Sequence, residues 1–101
     1  MERWAWFEPI ERRIAELRCT AAELLAREAL EGGRPGEALR YAEGIIEYDP
    51  CDELGRRLAI RAHVAAGDYG RARQEYRRYA DALARELQLE PSVGFEEFAN
   101  A

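Results

Sequence analysis

The sequence predicts an all-helical protein built from antiparallel helix pairs, and three observations support this. Apolar residues recur in steps of three and four along most of the 101-residue chain, which is the period of an amphipathic helix. Pairs such as Gly-Gly, Asp-Pro and Glu-Pro stand between the apolar stripes, where they separate one helix from the next. Several single residues, most of them small, also recur after about 34 residues, which indicates a repeated helix pair.

The first helix is predicted to run from Glu8 to Glu31. Pro9 suits its first turn, because the missing N–H has no partner to lose there. Gly32 and Gly33 provide a left-handed stop. The apolar residues with helical spacing predict one buried stripe, which comprises Phe7, Ile10, Ile14, Leu17, Ala21 and Leu24.

Helix 2 is predicted to begin at Pro35 and to end where Asp49-Pro50 breaks it. The short connection to helix 1 requires the two helices to be antiparallel neighbours. Its inward-facing residues are predicted to be Ala38, Leu39, Ala42, Ile45 and Ile46.

Helix 3 is predicted to begin at Cys51 or Asp52 and to end at Gly67-Asp68, after which helix 4 follows at once and stops before Glu90-Pro91. Ser92 is expected to cap a short fifth helix. The predicted buried residues are Leu54, Leu58, Ala62 and Ala65 in helix 3, Tyr69, Ala72, Tyr76, Tyr79, Leu83 and Leu87 in helix 4, and Phe95, Phe98 and Ala99 in helix 5.

The internal repeat is the most informative feature of the sequence. A shift of about 34 residues superposes small residues of one helix pair on those of the next, and this is the tetratricopeptide period. The superposed pairs are Gly33 with Gly67, Gly36 with Gly70, Ala38 with Ala72, and Leu24 with Leu58. We therefore expect residues 1–101 to form one domain of two tetratricopeptide-like repeats and a short C-terminal capping helix.

The repeat departs from the tetratricopeptide pattern in three places. Ala22 and Arg56 stand where that family has an aromatic residue early in the first helix of each pair, and Ala84 replaces the proline that would close the second unit. Pro50 does match the proline that closes the first unit.

The charge of the chain argues against an independent nucleic-acid-binding function. The net charge is −5, whereas DNA affinity comes largely from neutralising phosphates. The charge is unevenly distributed, since residues 56–85 hold eight arginines against three acidic residues, a net +5, and the remainder of the chain carries −10. We expect a basic side and an acidic side, and no direct DNA binding by this chain alone.

The composition also restricts the possible chemistry. All fifteen basic residues are arginine, so that no lysine Schiff base or phosphate-loop lysine can form. Cys19 and Cys51 stand apart from each other and from His63, which predicts reduced structural thiols and no metal site. We expect no catalytic residue, no cofactor and no membrane span, and a cytoplasmic location.

The order of motifs resembles the bacterial transcriptional activator domain from about Trp6 to Phe98. The matching segments are Trp6 with Glu8-Pro9, the Tyr48-Asp49-Pro50 turn, the turn from Ala65 to Asp68, and the segment from Glu86 to Ser92. That last segment is similar to the Glu-Leu-Gly-hydrophobic-Glu-Pro-Ser pattern of the family, with Gln88 in place of the glycine.

The resemblance implies a non-catalytic protein-interaction module of a bacterial regulator. Members of the family usually carry a winged-helix DNA-binding domain before this module, and its partner would be another domain of the regulator, the transcription machinery or a second copy. The alternative is a freestanding tetratricopeptide adaptor or a homodimeric scaffold unrelated to transcription, with helices 1 and 4 as a possible dimer seam. A small helical enzyme is disfavoured, because the sequence supplies no polar constellation for a pocket.

Aromatic residues and the histidine are expected to serve packing. His63 occupies a position where tetratricopeptide helices bury a medium-sized side chain, and the tyrosines of helix 4 lie on its apolar stripe. Trp4 and Trp6 precede helix 1 and are expected either to cap the bundle or to contact a neighbouring domain.

The candidate partner-binding residues are Arg27, Arg57 and Arg61. In a tetratricopeptide arrangement the first helix of each pair lines the concave surface, so that these three guanidinium groups would face a bound segment. They could hold an acidic peptide or a C-terminal carboxylate by bidentate hydrogen bonds. Alternatively, Arg27 pairs with Glu23 and Arg57 with Glu53, each within its own helix.

Overall fold

A computed structural model describes the backbone of residues 2–100 and the side chains of residues 7–100. Helices make up 82% of the chain, and the described residues contain no strand. The five helices are α1 (Glu2–Glu31), α2 (Pro35–Tyr48), α3 (Glu53–Ala65), α4 (Tyr69–Leu87) and α5 (Phe95–Asn100). The predicted all-helical fold class is confirmed, and the arrangement is compatible with tetratricopeptide-like helical pairs.

Helix α1 starts six residues earlier than predicted and contains Pro9 in its interior. A proline within a helix removes one backbone hydrogen bond, because it has no N–H to donate. The helix nevertheless continues through it, and the expectation that Pro9 marks the first turn was wrong. At 30 residues, α1 is about twice as long as the 14-residue α2 that packs against it.

The apolar stripe predicted to be buried in α1 is exposed instead. Phe7, Ile10, Ile14, Leu17 and Leu24 retain between 46% and 64% of their accessible surface. The face that packs against the rest of the protein carries Cys19, Ala22, Ala26 and Ala29, and lies roughly 130° around the helix from the stripe at 3.6 residues per turn. Helix α1 therefore has two apolar faces, of which the fold covers only the one with small residues.

Small residues let α1, α2 and α3 approach closely. Ala26, Ala38, Ala42 and Ala59 are completely buried in the first of two core clusters. The backbone of Gly55 lies against Ile45, so that an added Cβ would come within 2.8 Å of that side chain. Because the helices touch through such short side chains, this part of the core leaves little room for a larger residue.

The turn between α1 and α2 and the turn between α3 and α4 have the same geometry. Gly33 and Gly67 both have a positive φ, of 72° and 80°, which glycine adopts without a steric penalty. Helix α3 is capped by Asp52, whose carboxylate accepts a hydrogen bond from the Gly55 N–H at 2.8 Å. Asp68 caps α4 in the same way at 3.2 Å from the Arg71 N–H. The two glycine turns of the predicted repeat therefore have the same backbone conformation.

Helix α5 closes the second core cluster. Phe98 is completely buried among Ile60, Ala72, Tyr79 and Leu83, and Tyr76 donates a hydrogen bond from its hydroxyl group to the Val93 carbonyl at 2.9 Å. The aromatic rings of Tyr76 and Phe98 meet edge to face, with their centroids 5.5 Å apart. Such aromatic pairs stabilise a core beyond the area that they bury.

Several buried positions differ from the prediction. Tyr69 and Leu87 are exposed near the two ends of α4, where the neighbouring helices no longer cover its stripe. In α3, Ala65 is exposed while Ala59 and Ile60 are buried, because α3 packs against helices on more than one side. Helix α5 begins at Phe95, three residues after Ser92, which therefore does not cap it.

The helices stack in chain order. Contacts join α1 to α2, α2 to α3 and α3 to α4, and α5 packs on both α3 and α4, whereas α1 and α4 do not contact each other in the described part of the chain. The molecule is a flat stack of about 50 × 33 × 16 Å. Its C-terminal end is covered by α5, and its N-terminal end is the exposed face of α1.

Candidate partner-binding surface

The three candidate arginines lie on two helices that touch. Arg57 and Arg61 stand one turn apart on α3, and Arg27 is in the second half of α1. Helices α1 and α3 contact each other directly, as the predicted repeat requires for the first helices of consecutive pairs.

Two of the arginines pair within their own helices, as the alternative interpretation expected. The Arg27 guanidinium lies 3.2 Å from the Glu23 carboxylate, and that of Arg57 lies 2.9 Å from Glu53. Both are pairs of residues four apart at a solvent-accessible surface. Such pairs contribute only on the order of 0.5 kcal/mol each, so that a partner carrying acidic groups can replace them at little cost.

Arg57 has a second role that the sequence did not reveal. Its guanidinium group lies over the ring of Phe98, with Cζ 4.9 Å from the ring centroid. Its Nε is buried and has no hydrogen-bond acceptor among the described residues. Arg57 therefore connects α3 to α5 by a cation–π contact and belongs partly to the fold.

Arg61 differs from Arg27 and Arg57 in its lack of an ion-pair partner among the described residues. Its side chain is half-exposed, and no ion pair in the described part of the chain involves it. A guanidinium group in this state presents its donors to solvent or to a partner.

Helix α4 carries an exposed row of arginines at intervals of seven residues, Arg71, Arg78 and Arg85, and neighbouring acidic side chains neutralise part of its charge. Arg71 pairs with Asp68 at 3.3 Å and Arg85 with Glu86 at 3.5 Å. Asp81, on the same helix, makes no ion pair within residues 7–100. The row thus has the character of a solvated, charge-compensated helix face.

The two cysteines are partly buried and packed against the core, Cys19 on the first cluster and Cys51 on the second. Burial raises the pKa of the Cys19 thiol, and the nearby carboxylates of Asp52 and Asp49 raise it further, which keeps it protonated and unreactive near neutral pH. Cys51 is a free thiol whose Sγ lies 3.5 Å from the Ala82 carbonyl oxygen. His63 is half-buried in α3. The side chains of Trp4 and Trp6 lie outside the described residues.

No group of three or more His, Cys, Asp or Glu side chains within the described residues is arranged to hold a metal ion. In the same part of the chain, no helix is both long enough and apolar enough to cross a bilayer.

The sequence profile of the bacterial transcriptional activator domain matches residues 1–101, the whole chain. The chain belongs to this family. No match was found among curated proteins or among solved structures. Family membership supports a role in bacterial transcriptional activation.

Within this bacterial transcriptional activator domain, Gln88 occupies a position where glycine is favoured on physical grounds. It is the C-cap of α4 and has a left-handed conformation, with φ 55° and ψ 40°. It is the only non-glycine residue with a positive φ among those described. A glycine, which the similar Glu-Leu-Gly pattern has at this position, would adopt this conformation without strain.

The most deeply buried ion pair among the described residues was not predicted from the sequence. Arg56 forms an ion pair with Glu75 of α4, and only 7% and 11% of the two side chains are exposed. Arg56 also donates a hydrogen bond from Nε to the Pro50 carbonyl oxygen at 3.1 Å. The available signal was the spacing, because Glu75 lies between Ala72 and Tyr79 on the buried side of α4.

Proposed function

We propose that this chain is a non-catalytic protein-interaction module of a bacterial transcriptional activator, working in the cytoplasm without a cofactor and without contacting DNA itself. The observation that carries the proposal is the family match over residues 1–101. The net charge of −5 adds to it, because a surface that is negative overall is repelled by the phosphates of a duplex.

The partner surface that we propose includes Arg27 and Arg61, and an acidic segment of another protein is the ligand that fits it. Arg61 has no counter-charge among the described residues, and the pair of Arg27 with Glu23 is exposed and therefore weak. An acidic segment that crosses from α1 to α3 would gain charge-assisted hydrogen bonds from both. Arg57 contributes positive potential while it remains anchored to Phe98.

The test compares partner recovery by three forms of the chain. Extracts of the bacterium that encodes it are passed over wild type, over Arg27→Glu/Arg61→Glu, and over the control Arg12→Glu/Arg40→Glu. The control makes the same change in net charge at two exposed arginines elsewhere. Circular dichroism and thermal unfolding establish that all three are folded before use.

We expect the Arg27→Glu/Arg61→Glu variant to recover its specific partners on the order of tenfold less than wild type, because like charges then face each other across the surface. The control should recover them as wild type does. Equal recovery by all three forms would remove this surface from the proposal, and recovery of no specific partner by wild type would contradict the interaction function itself.

A further inference from the structure

The exposed stripe of α1 lies where a preceding helix pair would stack. This follows from the exposed fractions of Leu24 and of Leu58, which is its equivalent in the repeat. Leu58 is 1% exposed because the first pair covers it, whereas Leu24 is 64% exposed. A repeat unit cannot bury its outer face alone, and an uncovered terminal unit normally has a polar outer face. The outer face of the pair formed by α1 and α2 is apolar instead.

The stripe has the spacing of a coiled-coil seam. Alternating steps of three and four from Phe7 to Leu24 fill the two apolar positions of consecutive heptads. Five of its six side chains are large, and all are exposed. They leave roughly 500 Å² of exposed surface on one copy, so that two copies joined through them would bury at most about 1,000 Å², which is the lower limit for a specific interface and fits a weak dimer.

Glu11 and Arg18 determine how two copies can fit. Both flank the stripe on the same side, and both line an open groove of about 620 Å³ between α1 and the C-terminal end of α2. If two α1 helices run antiparallel with their stripes fully overlapped, Ile14 lies opposite Leu17 of the second copy. Glu11 then stands beside Arg18 of the second copy, and twofold symmetry forms this ion pair twice.

Other alignments are worse in both packing and charge. A shift of one heptad in either direction loses two of the six layers of the seam, and it brings together either the two Glu11 side chains or the two Arg18 side chains. A parallel pair places Arg13 beside Arg18 of the second copy. Like charges at these flanking positions destabilise a coiled coil. Of these arrangements, only the antiparallel one with all six layers of the seam overlapped places Glu11 beside Arg18 of the second copy.

We propose that the occupant of the α1 stripe is a second copy of this chain, joined in an antiparallel, twofold-symmetric pair through Phe7, Ile10, Ile14, Leu17, Ala21 and Leu24, with the register set by Glu11 and Arg18. This interface is separate from the arginine surface on α1 and α3. It gives a regulator two copies of the module with their α5 ends directed away from each other.

Sedimentation equilibrium at concentrations up to several hundred micromolar tests the pairing. Wild type should dimerise, and Glu11→Arg and Arg18→Glu should each raise the dimer dissociation constant on the order of tenfold, because each converts two ion pairs into two repulsions. The double variant Glu11→Arg/Arg18→Glu should restore the dissociation constant of wild type, because both ion pairs form again with exchanged charges. Glu16→Arg, an exposed residue off the seam, controls for the change in charge and should behave as wild type.

A second pair of variants tests the apolar seam. Leu17→Asp should abolish the dimer, while Leu89→Asp, at a leucine of similar exposure beyond α4 (55% against 53%), should leave it intact. Unchanged circular dichroism shows that each variant is folded. A wild-type chain that stays monomeric throughout would overturn the proposal, as would a dimer that is indifferent to Leu17→Asp. A dimer that Arg18→Glu strengthens would indicate the parallel arrangement and contradict the proposed one.

Discussion

At the scale of single residues, two features lower the stability of the folded protein locally, and neither is evident from the sequence alone. Gln88 holds a left-handed backbone conformation, and Arg56 places a guanidinium group in the interior. Both are located where helices must meet or end: Gln88 stops α4, and Arg56 joins α3 to α4 and to the turn before α3. Each cost makes a specific prediction about stability.

Replacing Gln88 with glycine should stabilise the domain. A non-glycine residue in the left-handed region costs roughly 1–2 kcal/mol, and part of this gain is offset because glycine is more flexible in the unfolded chain. We expect Gln88→Gly to raise the free energy of unfolding by about 1 kcal/mol, measured by urea denaturation. Gly67→Ala, at a φ of 80°, should lower it. A Gln88→Gly variant that is less stable than wild type would contradict the assigned conformation.

The buried pair of Arg56 and Glu75 predicts strongly non-additive substitutions. Glu75→Leu alone leaves a buried guanidinium group without its partner and should cost about 3–5 kcal/mol, whereas Arg56→Met/Glu75→Leu removes both charges and should cost far less. Denaturant unfolding of wild type, the two single variants and the double variant gives the coupling energy. Additive costs would show that the two side chains do not interact in solution.

At the scale of helices, the sequence predicted four of the five starting points to within one or two residues, apart from that of α1. The starts of α2, α3 and α4 are marked by local signals, which are Pro35 for α2 and the capping residues Asp52 and Asp68 for α3 and α4, whereas α5 begins two residues later than a cap at Ser92 would place it. The start of α1 was predicted wrongly because proline often stands in the first turn of a helix. Here the helix begins at Glu2 and continues through Pro9.

The burial of each helix face was harder to predict than its bounds. Periodicity identifies an apolar stripe, but it does not say which of two stripes the fold covers. In α1 the longer side chains look more like a core, yet the alanines are the buried residues, because close helix contact requires small side chains. The arginine surface could likewise be predicted only in part. Its ion pairs within α1 and α3 follow from the spacing of the residues, whereas the contact of Arg57 with Phe98 depends on where α5 lies in the folded protein.

The close contact between α3 and α4 predicts the effect of enlarging Ala72. This residue is completely buried in the second core cluster, so that Ala72→Arg must displace its neighbours and bury an unpaired charge. We expect a loss of several kcal/mol, on the order of those two costs together. Ala84→Arg, at an exposed position of the same helix, is the matched control. Equal thermal stability of the two variants would contradict the register of the repeat.

At the scale of the whole molecule, the two ends of the stack differ. Helix α5 seals one end with a fully buried phenylalanine, and the outer stripe of α1 leaves the other end apolar and open. The arginine surface of α1 and α3 lies on the same flat stack. In the function that we propose, the open end and the separate charged surface would allow the module to bring two proteins together.

The most direct test of the central claim is the transcript profile of the bacterium that encodes the chain. Its chromosomal copy is replaced by Arg27→Glu/Arg61→Glu or by the control Arg12→Glu/Arg40→Glu, with equal protein levels established by immunoblotting. We expect a defined set of transcripts to fall in the first strain and to stay unchanged in the control. Transcript profiles identical to wild type in both strains would contradict a role for this protein surface in transcriptional activation.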